Sequence, residues 1–194
     1  MRCKSLGPRR SALKPPGVIN IGTLGEISAE SVIQIGYLNE VFYLVIVDTE
    51  ILINAPIDRC FDMARNIELH TQTVWKHTKE RAIDGTTKGM IGKGEFVTFQ
   101  ATHFLIRQKL TSKITEYNRP YYFVDEMQKG VFKSLRHEHI FEEQDGKTLM
   151  RDKLTFEAPL GILGLITEKI ILKKYMKRFL EHRNNQLKLM AEKM

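Results

Sequence analysis

SLRHEHIFEEQDGKTLMRDKLTF, running from Ser134 to Phe156, decides how the rest of the chain is read. Two runs with the alternation of half-buried strands flank the turn QDGK, and an Asp145-Gly146 pair between such runs is a strong hairpin signal. A tight hairpin makes its strands antiparallel. Because side chains alternate along a strand, His137 and His139 share one face with Leu135 and Phe141, while Arg136 and Glu138 share the other. The histidine face is expected to point inward.

Upstream the same pattern repeats. YYFVDEMQ, RQKLTSKITEY and GEFVTFQATHFLI read as further strands, with Pro120 fixing the turn in NRP. VFYLVIVDTEILINAP, from Val41, is rich in β-branched and aromatic residues and stops at Pro56 as a strand should. Next, PIDRCFDMARNIELH starts on proline, carries Asp58 in its first turn and spaces Ile57, Phe61 and Ala64 by four and three, which predicts a short amphipathic helix. IELHTQTVW predicts a second after a break near Asn66. GTTKGMIGKGE lacks the spacing and the trailing Lys-Ser/Thr of a phosphate loop and is expected to be a mobile connection over a pocket. After APLGILG no glycine or proline follows, and Leu165, Leu172, Met176 and Phe179 recur with helical spacing, predicting a long C-terminal helix. The order defines an α+β fold: a curved antiparallel sheet of about seven strands wrapped on a long C-terminal helix, with two short helices after the first strand. One helix covers such a sheet incompletely, so the architecture implies a cavity between them.

The bulk properties agree. At 194 residues, 42% hydrophobic and 27% charged, the chain suits one globular domain plus a tail. Cys3 and Cys60 lie far apart and outside metal-ligand spacing, which points to a reducing, cytoplasmic setting. The net charge of +7 gathers in the N-terminal arm and in the C-terminal helix without a nucleic-acid motif, so no nucleic-acid partner is expected. VIQIGYLNEVFYLVIV is broken by Gln34, Asn39 and Glu40, so no integral membrane segment is expected either.

These segments carry a resemblance. ILINAPIDRCFDMARNI, RPYYFVDEMQKGVFKSLRHEHIFE and GKTLMRDKLTFEAPLGILG, within Val45 to Lys193, resemble the START-like, helix-grip superfamily, in particular its bacterial SRPBCC group of polyketide cyclase/dehydrase-like and lipid-transport-like proteins. The resemblance implies an internal cavity that binds a lipid-, sterol- or polyketide-like molecule, with APLGILG as a gating loop. Position 135 is Leu where many relatives carry Trp, implying a differently shaped pocket. Residues 1–44 have no counterpart in the pattern, and no methionine lies between Met1 and Met63. They are expected to be an appendage, disordered or preceding a true start near Val45 or Val47, with 45–194 as the ligand-binding domain.

Alternation extends the inward face to Val97, Phe99, Ala101 and His103, to Phe123, Asp125 and Met127, and to Met150, Asp152, Leu154 and Phe156. The expected ligand-binding set is Trp75, Phe99, His103, Phe123, Asp125, Met127, Leu135, His137, His139, Phe141, Phe156, Leu172 and Met176. His137, His139, Asp125 and Asp152 admit three roles. They can knit strands together by Asp–His hydrogen bonds, or orient a ligand's polar end. They can also act as acid/base pairs in cyclisation or dehydration; His-x-His with a carboxylate could hold zinc, but no metal or cofactor is expected. Three function classes follow: a hydrophobic-ligand binder, a cyclase/dehydratase-type enzyme, and an interaction module using its basic helix. Oligomeric state is not legible.

Overall fold

The computed structural model describes residues 32–37, 40–157 and 167–193, with side chains for 44–157 and 170–193. Its strands are β1 (Val32–Tyr37), β2 (Glu40–Ile53), β3 (Arg81–Gly85), β4 (Phe96–His103), β5 (Ile106–Asn118), β6 (Tyr122–Lys129), β7 (Ser134–Gln144) and β8 (Lys147–Glu157). Its helices are α1 (Ile57–Ala64), α2 (Ile67–Thr73) and α3 (Thr167–Ala191), with a 3-10 turn at Lys76–Thr78. The strands form one antiparallel sheet in the order β1-β2-β8-β7-β6-β5-β4-β3. Meander connections run from β3 to β8, and β2 closes on β8.

The sheet expected from sequence is present, with edge strands β1 and β3 that none of the quoted strand runs covers. β1 falls inside the stretch expected to be an appendage and pairs with β2 from Val32↔Val45 to Tyr37↔Glu40. The remaining residues of that stretch, and the expected gating loop APLGILG, lie outside the described residues.

Local chemistry explains the elements. Pro56 stands at the N-cap of α1 with extended backbone (φ −61°, ψ 147°), and Ile57, Cys60, Phe61, Met63 and Ala64 make its buried side. Asn66 separates α1 from α2 and caps α2, its side chain accepting from the Leu69 N–H at 3.0 Å. Gly85, at φ +72°, is required where β3 meets β4: a Cβ there would lie 2.2 Å from the Phe96 carbonyl oxygen.

Two apolar clusters lie on the concave face. In one, Phe61 meets Tyr117, Phe123 and Phe141 edge-on, each with ring centroids 5.4 Å away, and Ile53, Met150 and Leu187 complete the packing. The other joins Val45, Val47, Leu135, Leu154 and Phe156 to Leu180 of α3. Cys60 is fully buried, and burial pushes its thiol up, which suits a core residue. No helix among the described residues is long and apolar enough to cross a membrane.

Candidate functional site

Between the sheet and α3 lies a cavity of about 180 Å³. Its walls are mostly apolar: Val97, Phe99 and Ala101 from β4, Leu110 and Ile114 from β5, Leu135 and Leu154 from β7 and β8, and Leu172, Met176, Phe179 and Leu180 from α3. Ionisable side chains stand in this wall at Arg65, His70, Glu80, His103, Lys109, Asp125, His137, His139, Tyr175 and Arg183.

Strand register builds the polar part. The two-residue turn at Asp145-Gly146 sets Gln144 opposite Lys147, which places His139 opposite Asp152. On the other side of β7, Asp125 of β6 stands opposite His137. Side chains on one face of opposed strands meet, so the four residues close into a box. Asp125 Oδ2 lies 3.1 Å from His139 Nε2 and 3.6 Å from His137 Nδ1. Asp152 Oδ1 lies 2.6 Å from His139 Nδ1 and 3.2 Å from His137 Nε2. The Asp125–His139 contact is an aligned hydrogen bond, whereas the contacts at Asp152 Oδ1 have ion-pair distance without hydrogen-bond alignment. From α3, Asn184 Nδ2 donates to Asp152 Oδ2 at 2.5 Å and to Thr49 Oγ1 at 3.1 Å, tying the helix to the box.

The two histidines differ. Burial disfavours the charged form of both, but at His139 the charge of Asp152 and the hydrogen bond to Asp125 outweigh it and raise the imidazole above its ordinary value. At His137 burial and the neighbouring His139 charge prevail and hold it below. Burial also opposes ionisation of Asp125, yet the His139 hydrogen bond and both imidazoles bring it down to about 2. Asp152 is lowered well below the usual carboxylate range, burial being outweighed first by the His139 charge. The box therefore favours the ionised form at both aspartates and the protonated form at His139, and disfavours it at His137.

One ligand atom each of Asp125, His137 and His139 lies within 4.8 Å of the others, so these three offer donors of the type that hold a divalent metal. The carboxylates already face the ring nitrogens, and charge pairing accounts for the arrangement without an ion.

Of the residues expected from sequence, Phe99, His103, Phe123, Asp125, Leu135, His137, His139, Leu172 and Met176 line the cavity. Asp152 stands behind the histidines, 1% exposed. Phe141 and Phe156 belong to the packed clusters, with Met127 packed against the second. Trp75 is not in the cavity wall: it packs edge-on against Tyr175 and Phe179, the α3 residues that are. The connection expected to be mobile is instead pinned: Ile67 N–H bonds Gly89 O, Ile91 N–H bonds Arg65 O and Gly94 N–H bonds Ile114 O. Ile91 is buried and forms part of the cavity wall.

Sequence reasoning passed over Arg183, Tyr175 and Phe104. Arg183 is 3% exposed and lines the cavity, although it sits in a run that reads as a solvated basic face. Tyr175 Oη lies 2.7 Å from His103 Nδ1, and burial holds the His103 imidazole below its ordinary value. Phe104 packs against Tyr175 at a tilt of 38°, with centroids 4.3 Å apart. The register from the Asp-Gly turn predicts the His139–Asp152 pair, but nothing local marks Arg183 as different from the arginines around it.

No family model matches the sequence, and no curated protein does. Solved structures do match. TTHA0849 from Thermus thermophilus superposes with a TM-score of 0.63 at 17% identity, over 75% of this chain and 96% of that one. A START superfamily protein from Mycobacterium smegmatis gives 0.59 at 14% identity, over 76% and 97%. The di-domain ARO/CYC StfQ from the steffimycin biosynthetic pathway gives 0.60 at 13% identity, over 77% of this chain and 51% of that one. With the strand order and the long closing helix, these likenesses establish the START-like helix-grip fold for this chain.

Proposed function

We propose that this protein binds a hydrophobic or amphipathic small molecule in the cavity, its apolar body against the β4, β5 and α3 walls and its polar end toward His137 and Asp125. The observation that carries this reading is the asymmetry of the wall, apolar over most of its surface with its ionisable groups set among hydrocarbon. Small-molecule sites commonly combine an apolar enclosure with a few placed polar groups. That two structural neighbours are a START superfamily protein and an ARO/CYC protein supports it at the level of fold.

A second reading rests on His137 alone. An imidazole at the cavity wall, held below its ordinary value and with Asp152 behind it, is placed to accept a proton from a bound molecule, as cyclisation or dehydration requires. Native mass spectrometry separates the cases. A mass excess lost on denaturation, matching an organic molecule, supports the binder, and an excess of a metal's mass would assign the histidines to a metal instead. Conversion of a cyclisable substrate that is abolished by His137→Gln while binding persists would establish the enzyme. Failure of any hydrophobic probe to bind would exclude both cavity readings.

A further inference from the structure

The β4–β5 hairpin ends in three consecutive apolar residues that the fold leaves in water: Phe104 is 54% exposed, Leu105 98% and Ile106 65%. Single exposed apolar side chains need no explanation, but a run of three at a hairpin tip does. Phe104 and Leu105 also hold positive φ, where Asn, Asp or Gly would sit without strain, so the turn's own geometry does not select them. At its exposure, Leu105 adds almost nothing to the core.

The contact of Phe104 with Tyr175 sets this tip against α3, where Ile171, one turn before Tyr175, is 52% exposed and extends the apolar surface. The chemistry around it is basic. No Asp or Glu occurs from Phe96 to Thr115, which carry Arg107, Lys109 and Lys113, nor from Lys169 to Leu180, which carry Lys169, Lys173, Lys174, Lys177 and Arg178. Lys174 and Arg178 are exposed and flank Tyr175 by helical spacing. Arg107 donates to the Lys79 carbonyl, Thr102 Oγ1 and Gln100 Oε1, none of them a carboxylate. Glu80, whose charge reaches His103 and Tyr175, is turned inward: its side chain is 7% exposed and lies 2.8 Å from His70.

We propose that the β4–β5 tip docks this protein on an anionic lipid bilayer, with Phe104, Leu105 and Ile106 entering the headgroup boundary and the basic residues of β5 and α3 meeting the lipid phosphates. An apolar element rimmed by lysine and arginine is the pattern that binds a membrane surface without spanning it. The apolar residues protrude and the charges are spread over two elements, which suits a fluid surface whose contacts are not directional. The inference goes beyond the cavity-binding reading and does not need it. Phe104 belongs to both the tip and the cavity wall, so docking would bring the cavity to a reservoir of hydrophobic molecules.

The test is flotation of the full chain with vesicles of phosphatidylcholine, alone or with about 30% phosphatidylglycerol, at about 0.1 M salt. Partitioning onto the anionic vesicles is expected to exceed that onto the neutral ones roughly 10-fold or more, and to fall steeply at about 0.5 M salt. Leu105→Asn with Ile106→Thr, in which Asn tolerates the left-handed backbone, is expected to lose about 10-fold on anionic vesicles. Lys174→Gln with Arg178→Gln is expected to bring anionic partitioning about 10-fold closer to the neutral level. No flotation with anionic vesicles overturns the inference, and so does flotation that the tip variant leaves unchanged. Self-association in sedimentation that the tip variant abolishes, without flotation, would give the tip to a second copy of the chain and also overturn it. Nile red, a neutral fluorescent probe added without vesicles, reports on the cavity separately: uptake without flotation breaks the membrane inference alone, and flotation without uptake breaks the cavity reading alone. Should the double tip variant prove unfolded by circular dichroism, Leu105→Asn alone decides.

Discussion

Two hairpins stand at opposite ends of the sheet and use the same turn geometry with opposite residue choices. Asp145 and Gly146 link β7 to β8 with φ of +50° and +74°; Phe104 and Leu105 link β4 to β5 with φ of +50° and +66°. Two-residue turns with both φ positive suit the twist of the strands and select Asn, Asp and Gly. The first hairpin follows that rule. The second breaks it with two bulky apolar residues, one 54% and the other 98% exposed. Its tip adjoins the cavity, with Phe104 in the wall and against Tyr175, while the Asp-Gly tip lies at the far end. Local rules are obeyed where a turn is only a turn and broken where the chain borders the candidate site.

The ends should differ most in stability. Phe61→Ala removes the ring around which Tyr117, Phe123 and Phe141 pack, and should cost about 3–5 kcal/mol in urea unfolding. Phe104→Ala, at the cavity end, should cost under about 1 kcal/mol, because its ring is half solvated. Equal losses would erase the division between a packed end and a binding end.

Between the two lies the polar box, where Asp152→Asn should destabilise by about 3 kcal/mol, since the proton on His139 loses its nearest counter-charge. Asp125 and Asp152 are depressed when folded, so their contribution is present above an unfolded carboxylate value of about 4. It is lost as pH falls through the folded values, about 2 for Asp125. The histidines work in opposite directions. His139, raised, contributes below an unfolded value of about 6.5, and that contribution is lost as pH rises through its folded value. His137, lowered, contributes above about 6.5 and loses its part as pH falls through its folded value. Unfolding free energy against pH should therefore fall on the acid side in the wild type and fall less in Asp152→Asn; parallel curves would contradict the charge assignment.

The same contrast explains what could be read from the sequence. Asp145-Gly146 announces its hairpin and its register, and register alone brings His139 to Asp152. The cavity-facing strands were legible because alternation with period two assigns faces: Phe99, Phe123 and Leu135 line the wall as alternation requires. Phe104-Leu105 carries no turn signal, so the strand reading runs through the tip, and its positive φ values emerge only from the paired strands on either side. Arg183 was hidden for a related reason. Helical periodicity sorts apolar from charged, and a buried arginine on a basic helix registers as surface until tertiary packing brings α1's Ala64 carbonyl and the cavity against it. Trp75 shows the opposite case, a large aromatic that packs against Tyr175 and Phe179 and is not itself in the cavity wall.

Exchanging residues between the hairpins tests the rule directly. Asp145→Phe with Gly146→Leu places bulky side chains at φ values of +50° and +74°, and should destabilise by about 1–3 kcal/mol with no change in ligand affinity, because that tip is remote from the cavity. A change in Nile red binding would mean that the two ends are coupled through the sheet.

A small effect is expected at Leu105, and its sign carries the information. The side chain is 98% exposed and held at φ +66°, a region that costs a non-glycine residue about 1–2 kcal/mol. Glycine occupies that region freely but loses more entropy on folding, which offsets part of the gain. Leu105→Gly should therefore raise the unfolding free energy by about 1 kcal/mol, against the usual expectation for removing an apolar side chain. Stabilisation with weaker Nile red binding would mean that the strained leucine serves the cavity's mouth. Stabilisation with unchanged binding would leave the cavity to Phe104 and Tyr175, and destabilisation would show contacts of Leu105 that outweigh its backbone strain.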